Sequence, residues 1–380
     1  MKNYLWFAVY FLVFSNSVLL AQVEYKPGYM VNLKSDTLRG FIQEKTDSHL
    51  AESVNFKTSL QASNSREYFP DELLAFGFES GRNFKRQENN QKDSPGFVFA
   101  KRLLEGKTDL YVWRKKGQAK PDMFITNNEI DKTVHLVKAP KRNITSEEGK
   151  KFSTKDRKYL GLLNSIKTEQ QDQDREEVRY SEKKIYEDLL NYNRQFSEDY
   201  PISEYEEKQI NRYEIILGMP FENSVGGTQF RVAVYRDKQR IERSKNWSYL
   251  RGVSYRHWGD EDRELPDFKN ATANYRWQNL SLIPIGVKYQ RANGIVRPYA
   301  YAGLGVGLLL MTNYVIETYE TIGSEKNFSY GPTANFAVGL KIKLGNSYLL
   351  TEITPTIDGI FFNGITPPMD GLFLNLGYSF

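Results

Sequence analysis

The spacing of apolar side chains divides the chain into four stretches. The first, MKNYLWFAVYFLVFSNSVLLA, has one Lys and then an apolar run ending on a small residue before Gln22. That is the layout of a secretory signal over residues 1–21, cleaved after Ala21. Residues 22–142 alternate short apolar segments with polar turns. GYMVNLKSDTLRGFIQ reads as a hairpin about Ser35 and Asp36, and LLAFGFE, GFVFAKRLL, TDLYVWRK and KTVHLVKA have the aromatic and β-branched content of strands. These segments predict a small β-rich domain. Over 143–210 the period lengthens: Leu160, Leu163 and Ile166 recur at helical spacing, as do Ile185, Leu189 and Tyr192, in segments nearly free of Gly and Pro. Two amphipathic helices joined by QQDQD are predicted, with their charged faces in water, as a linker region.

From 211 to 380 the period falls to two. Eight strands are predicted, at 213–221, 228–237, 247–258, 279–290, 298–310, 333–344, 347–357 and 371–380. In the last, Leu372, Leu374, Leu376, Tyr378 and Phe380 share one face, opposite Phe373, Asn375, Gly377 and Ser379. The sixth repeats the pattern, with Ala334, Phe336, Val338, Leu340 and Ile342 opposed to Asn335, Gly339, Lys341 and Lys343. One face is aliphatic with aromatic residues toward its ends, and the other is small, polar or charged. Alternation alone leaves open which face points outward. The terminal aromatics suit two interfacial girdles, and connection lengths alternate. Those near 238–246, 291–297 and 345–346 are short, whereas those near 259–278, 311–332 and 358–370 are long; 222–227 is a short exception. The expected fold is therefore mainly β: a carboxy-terminal eight-stranded antiparallel transmembrane β-barrel preceded by a small β domain and a charged helical segment. With an even strand number both ends of the barrel segment fall on the short-turn side, which would put the amino-terminal region in the periplasm.

An eight-stranded barrel is narrow enough for side chains to fill it. The inward face would carry Glu214, Arg231, Lys288, Lys341, Lys343 and Glu352. A hairpin across Gly345 and Asn346 sets Gly339 opposite Glu352 and Lys341 opposite Leu350, placing Lys341 diagonal to Glu352 for an ion pair. A filled, non-conducting lumen follows, since unpaired buried charge is costly. Arg251 departs from the scheme: it shares the outward face of Trp247, Tyr249, Val253 and Tyr255, which calls for either a register-shifting bulge or a misplaced strand.

Composition adds limits. The chain of 380 residues is 40% hydrophobic and 26% charged, with a mean hydropathy of −0.59, an average that hides the regional differences. No later stretch is long and apolar enough for a spanning helix, so a membrane crossing after the signal requires a closed barrel. There is no Cys, which rules out disulfides and Cys-linked lipid. A net charge of +5, evenly mixed, gives no reason to expect nucleic acid. His49, His135 and His257 lack metal-site spacing, and no GxSxG, HExxH or phosphate-binding loop occurs. Gly303, Gly305 and Gly307 alternate within a strand and make room rather than a nucleotide turn. Asp260, Glu261 and Asp262 beside His257 could serve hydrolysis but fit a hydrated loop. No enzyme activity, cofactor or metal is expected.

The segment SLIPIGVKYQRANGIVRPYAYAGLGVGLLL, residues 281–310, with the closing GLFLNLGYSF, resembles the PorT-like small outer-membrane β-barrel family of Bacteroidota. The matching elements are Pro284 in a strand running to Tyr289, a tight turn, and Arg297, Pro298 and Tyr299 opening a glycine-alternating strand. SDTLRGFI and LLNYNRQF look like the periplasmic region that often accompanies such barrels. The resemblance implies location and architecture, and carries over no catalytic residue. PorT itself is associated with protein secretion. Leu376, Tyr378 and Phe380 match the terminal signal that barrel assembly machinery reads. The expected role is a non-enzymatic outer-membrane anchor for a periplasmic domain, structural or interactive, with outer-membrane lipid, the assembly machinery and a periplasmic protein as partners. A small transport or secretion-associated barrel and a soluble periplasmic ligand-binding barrel are the alternatives.

Overall fold

A computed structural model describes residues 24–89, 96–118, 120–137, 142–145, 151–154, 157–167, 178–220, 228–264, 271–317, 320–355 and 372–380. Residues 1–21, expected as a signal, and the connections 222–227 and 358–370 lie outside them. The chain forms two compact units, Val23–Glu207 and Lys208–Phe380.

The first unit is built on an antiparallel sheet. Its strands are β1 (Tyr25–Asn32), β2 (Thr37–Gln43), β3 (Val54–Lys57), β4 (Arg66–Tyr68), β5 (Leu73–Phe78), β6 (Asn83–Asn89), β7 (Gly96–Glu105), β8 (Thr108–Trp113), β9 (Asp122–Asn127) and β10 (Lys132–Leu136). The spatial order is β10-β9-β8-β7-β6-β5-β1-β2-β3-β4; β11 (Arg142–Thr145) and β12 (Lys151–Thr154) pair separately, and β13 (Ser203–Glu204) adds to β7. The β1–β2 hairpin forms where its turn residues predict it. Asn32 Oδ1 accepts the backbone N–H groups of Lys34 and Asp36, both at 2.9 Å, and Ser35 takes the left-handed backbone at φ 67°.

Helices α1 (Asp47–Leu50), α2 (Lys158–Ile166) and α3 (Glu182–Arg194) complete the unit. The stretch expected as a linker is instead part of this domain. Leu163 and Ile166 of α2, with Ile185 and Leu189 of α3, bury fully against Leu104, Leu110, Ile125 and Leu136. The same three- and four-residue spacing that predicts each helix presents an apolar stripe that must be covered, and the sheet covers it. Asn193 fastens α3 to the β7–β8 turn: its Nδ2 donates to Thr108 O at 2.8 Å, and its Oδ1 accepts from Thr108 N at 2.9 Å. Gly106 is required there, because a Cβ would come within 2.5 Å of the Asn193 amide nitrogen.

Sequence periodicity gave no sign of a buried charge hub. Asp47, 2% exposed, receives Arg82 at 2.6 Å, Lys101 at 2.7 Å and Arg114 at 3.2 Å. Arg82 also meets Glu44 at 2.9 Å, and Arg114 reaches both carboxylate oxygens of Glu182 at 2.8 Å. Burial pushes the Asp47 carboxyl up, and Lys101, Arg82 and Arg114 together outweigh it, holding the group below its ordinary value.

The second unit is a closed antiparallel barrel of eight strands: β14 (Gln209–Pro220), β15 (Thr228–Arg240), β16 (Trp247–Glu264), β17 (Ala271–Gln290), β18 (Val296–Glu317), β19 (Glu320–Leu344), β20 (Ser347–Pro355) and β21 (Leu372–Ser379). The barrel closes where the chain ends. Phe380 N donates to Tyr213 O at 3.0 Å and Tyr213 N returns to Phe380 O at 2.9 Å, so the last residue belongs to the ladder joining β21 to β14.

Most of two predicted long connections is strand. Residues 259–264 and 271–278 continue β16 and β17 in paired register, and 311–317 and 320–332 continue β18 and β19. The alternation of apolar and polar residues is weaker in the sequence of these stretches, while the backbone ladder continues regardless of side-chain polarity. A strand crosses hydrocarbon in roughly 9–11 residues. β18 and β19, with 22 and 25 residues, are at least twice that length.

The charged interior and apolar exterior of the barrel

Successive residues on each strand point alternately into and out of the barrel, and the two sides are opposite in chemistry. Outward residues include Leu217, Leu282, Leu304, Val306, Leu308, Val338, Leu374 and Leu376. Leu304 is 63% exposed and Val338 59%, with no protein over them, whereas Lys341 on the inward face is 1% exposed. Aromatic residues mark the ends of this apolar band. Tyr213, Trp247, Tyr249, Tyr289, Tyr378 and Phe380 lie at the end with the short turns, and Phe328 and Tyr330 lie toward the opposite end.

Two ion-pair groups fill the interior. In the first, Glu214 accepts from Lys288 Nζ at 2.6 and 2.7 Å and from Lys341 Nζ at 3.2 Å; Asp237 lies 3.6 Å from both ammoniums. Two carboxylates and two ammoniums make the group formally neutral. The ammoniums also lie 4.8 Å from aromatic ring centres, Lys288 at Tyr299 and Lys341 at Tyr348.

In the second group Arg231 uses its guanidinium almost completely. It donates to Glu352 Oε1 at 2.8 Å, Tyr235 OH at 2.8 Å, Tyr301 OH at 3.0 Å, Ser254 Oγ at 3.2 Å and Thr354 Oγ1 at 3.3 Å. The other Glu352 oxygen accepts from Tyr299 OH at 2.8 Å. Buried charge is tolerable in this second group because Arg231 and Glu352 each find both a counter-ion and hydrogen bonds.

Glu214, Arg231, Lys288, Lys341 and Glu352 all lie buried on the inward face, as their positions in the alternation place them. Two details differ from expectation. Lys343 is exposed at the end of β19, one pair from the Gly345 turn, and takes no part in the interior. The predicted register holds, with Gly339 opposite Glu352 and Lys341 opposite Leu350. Lys341 nonetheless pairs with Glu214 and Asp237, while Glu352 takes Arg231. Partners across the lumen prevail over a diagonal neighbour along the wall, since all inward side chains converge toward one axis. Asp237, Tyr235, Tyr299 and Tyr301 were not singled out in the sequence, although all four fall on the inward parity of their strands.

Arg251 faces outward as its parity requires. A bulge does occur beside it, between Leu250 and Gly252 in the pairing with β17, yet it does not turn the side chain inward. Leu376, Tyr378 and Phe380 line the outward face of the closing strand. The three histidines lie on separate elements: His49 on α1, His135 stacked on Phe124 at 4.1 Å, and His257 against Phe230 at 5.2 Å. Gly303, Gly305 and Gly307 lie along β18 with no helix following, as alternation predicts.

The geometry defines an inside-out barrel, apolar where it meets its surroundings and ion-paired within. No protein-family model matches the chain, and no curated protein does. Among solved structures the chain is similar to Ail, the attachment invasion locus protein of Yersinia pestis, determined in complex with the heparin analogue sucrose octasulfate. The match has 13% identity and a TM-score of 0.25, and covers 45% of this chain and 95% of Ail.

Proposed function

We propose that the chain is a non-enzymatic outer-membrane barrel protein that anchors its amino-terminal domain in the periplasm, in a structural or interaction role. The observation that carries this reading is the inversion of polarity: large aliphatic side chains cover the exterior while Arg231, Lys288 and Lys341 are sealed inside. Exposed to water, so continuous an apolar belt would drive association; against lipid tails it costs nothing. A soluble ligand-binding barrel would place these faces the other way round. The PorT-like resemblance of residues 281–310 and the aromatic terminal strand support the same assignment. Outer-membrane lipid is then the barrel's solvent, and Leu376, Tyr378 and Phe380 would be read by the assembly machinery.

The filled interior argues against a transport role. Expressed in a bacterium with an outer membrane, the protein should fractionate with that membrane. It should also migrate faster on a gel when unheated than when boiled. Failure on both counts overturns the membrane reading. In planar bilayers the purified chain should give no steady conductance, and a stable open pore would favour transport.

A further inference from the structure

We propose that the exterior of β15 and β16, at the end of the barrel with the short turns, is a binding site for the headgroup of an anionic phospholipid; this rests on the membrane reading above. Arg236, Lys238 and Arg240 alternate along the outward side of β15, and Arg251 faces outward from β16. Arg236 and Arg251 are direct cross-strand partners. Like charges so placed, with Cβ atoms roughly 5 Å apart, destabilise a sheet. Among the described residues, none of the four cations makes an ion pair with a carboxylate. Across the other edge of β15, Arg236 faces Tyr213 and Lys238 faces Asn211, neither of them acidic.

Depth identifies the occupant. Tyr213 and Tyr249 are the cross-strand neighbours of Arg236 and Lys238, and Trp247 packs on Tyr289 at 5.0 Å one step nearer the turns. Val234 and Val253, the next outward pair, begin the aliphatic band. The cations thus lie among interfacial aromatics at the lower edge of the hydrocarbon-facing surface, where an outward Arg is inexpensive. The Arg236 guanidinium leans away from that band and donates to Asn211 at 3.1 Å, one step toward the turns. Two guanidiniums side by side at this level match a phosphodiester, which accepts paired N–H bonds. An acidic protein in solution would have to displace lipid to reach them.

The test uses the full chain in detergent, titrated with phosphatidylglycerol or phosphatidylcholine and followed by native mass spectrometry. The parent should retain phosphatidylglycerol in preference to phosphatidylcholine. R236Q/R251Q should weaken phosphatidylglycerol retention about 25-fold, about five-fold per cation, with phosphatidylcholine unchanged. R236K/R251K, which keeps the charge but loses the paired N–H groups, should retain phosphatidylglycerol more strongly than R236Q/R251Q and less strongly than the parent. Equal retention of the two lipids by the parent, or undiminished retention by R236Q/R251Q, overturns the proposal. So does displacement of the lipid by an equal concentration of inorganic phosphate, which would mark a free-anion site. If R236Q/R251Q does not fold, R251Q alone should show about a five-fold loss. Inserting the parent into phosphatidylcholine vesicles separates the two readings. Failure to form a heat-modifiable species there counts against the membrane assignment, whereas normal insertion without phosphatidylglycerol preference counts against the headgroup site alone.

Discussion

Glu214 shows how much a single inward carboxylate can carry. It is the nearest counter-ion of both Lys288 and Lys341, with Asp237 farther from each. E214Q leaves two ammoniums facing one carboxylate, an uncompensated buried charge worth about 3–5 kcal/mol. The temperature at which the fast-migrating folded band disappears should fall markedly in E214Q. E214Q/K341M restores neutrality, with Lys288 facing Asp237, and should recover more than half of the loss. If the double variant is no more stable than E214Q, charge balance is not what the cluster supplies. Strand parity made Glu214 legible as an inward residue, and hairpin register correctly placed Gly339 opposite Glu352. The partner of Lys341 was not legible, because β14 and β19 are not neighbours and their relative height depends on the shear of the closed barrel.

Elements of the amino-terminal domain are tied together where periodicity says least. Asp47 opens α1, Arg82 precedes β6, Lys101 lies on β7 and Arg114 follows β8, so one carboxylate gathers three cations, and Arg114 carries the link on to Glu182 at the start of α3. No spacing rule reports a contact of this kind, since its members are far apart in sequence. The helices themselves were legible, but their docking on β8, β9 and β10 was not, because an amphipathic pattern announces a buried face without naming its cover. D47N should destabilise this domain by about 3–5 kcal/mol at neutral pH, read from the urea dependence of hydrogen exchange in peptides spanning β8 and β9 of the full chain. The pH dependence has a definite sign. The folded-state pKa of Asp47 lies below its unfolded value, so the stabilisation is complete above about pH 5, where the unfolded carboxyl near about 3.9 is ionised. It drains away as pH falls through the depressed folded value. The gap between parent and D47N should therefore narrow in acid, and a gap independent of pH would remove the hub from the account.

At the scale of the whole molecule, the separation of polarity sets the environment of the barrel, and the lengths of its connections bear on its orientation. An average hydropathy of −0.59 describes neither unit; the barrel's apolar belt became visible only once alternate residues were separated. Eight strands bring Gln209 and Phe380 to the same end, alongside the turns at 241–246, 291–295 and 345–346. The long β16–β17 and β18–β19 hairpins run to the other end, beyond the length that hydrocarbon requires. A chain inserted with its short turns on the periplasmic side keeps residues 24–207 inside the cell envelope and presents these hairpins outside. A protease site placed between Glu317 and Glu320 should be cut on intact cells, whereas one placed in the β1–β2 turn should be cut only after the outer membrane is permeabilised. Cleavage at the β1–β2 turn alone on intact cells would reverse the barrel and move the domain to the cell surface. It would also carry the basic patch of Arg236 and Arg251 to the outer leaflet, so this experiment fixes which face of the membrane supplies the headgroups.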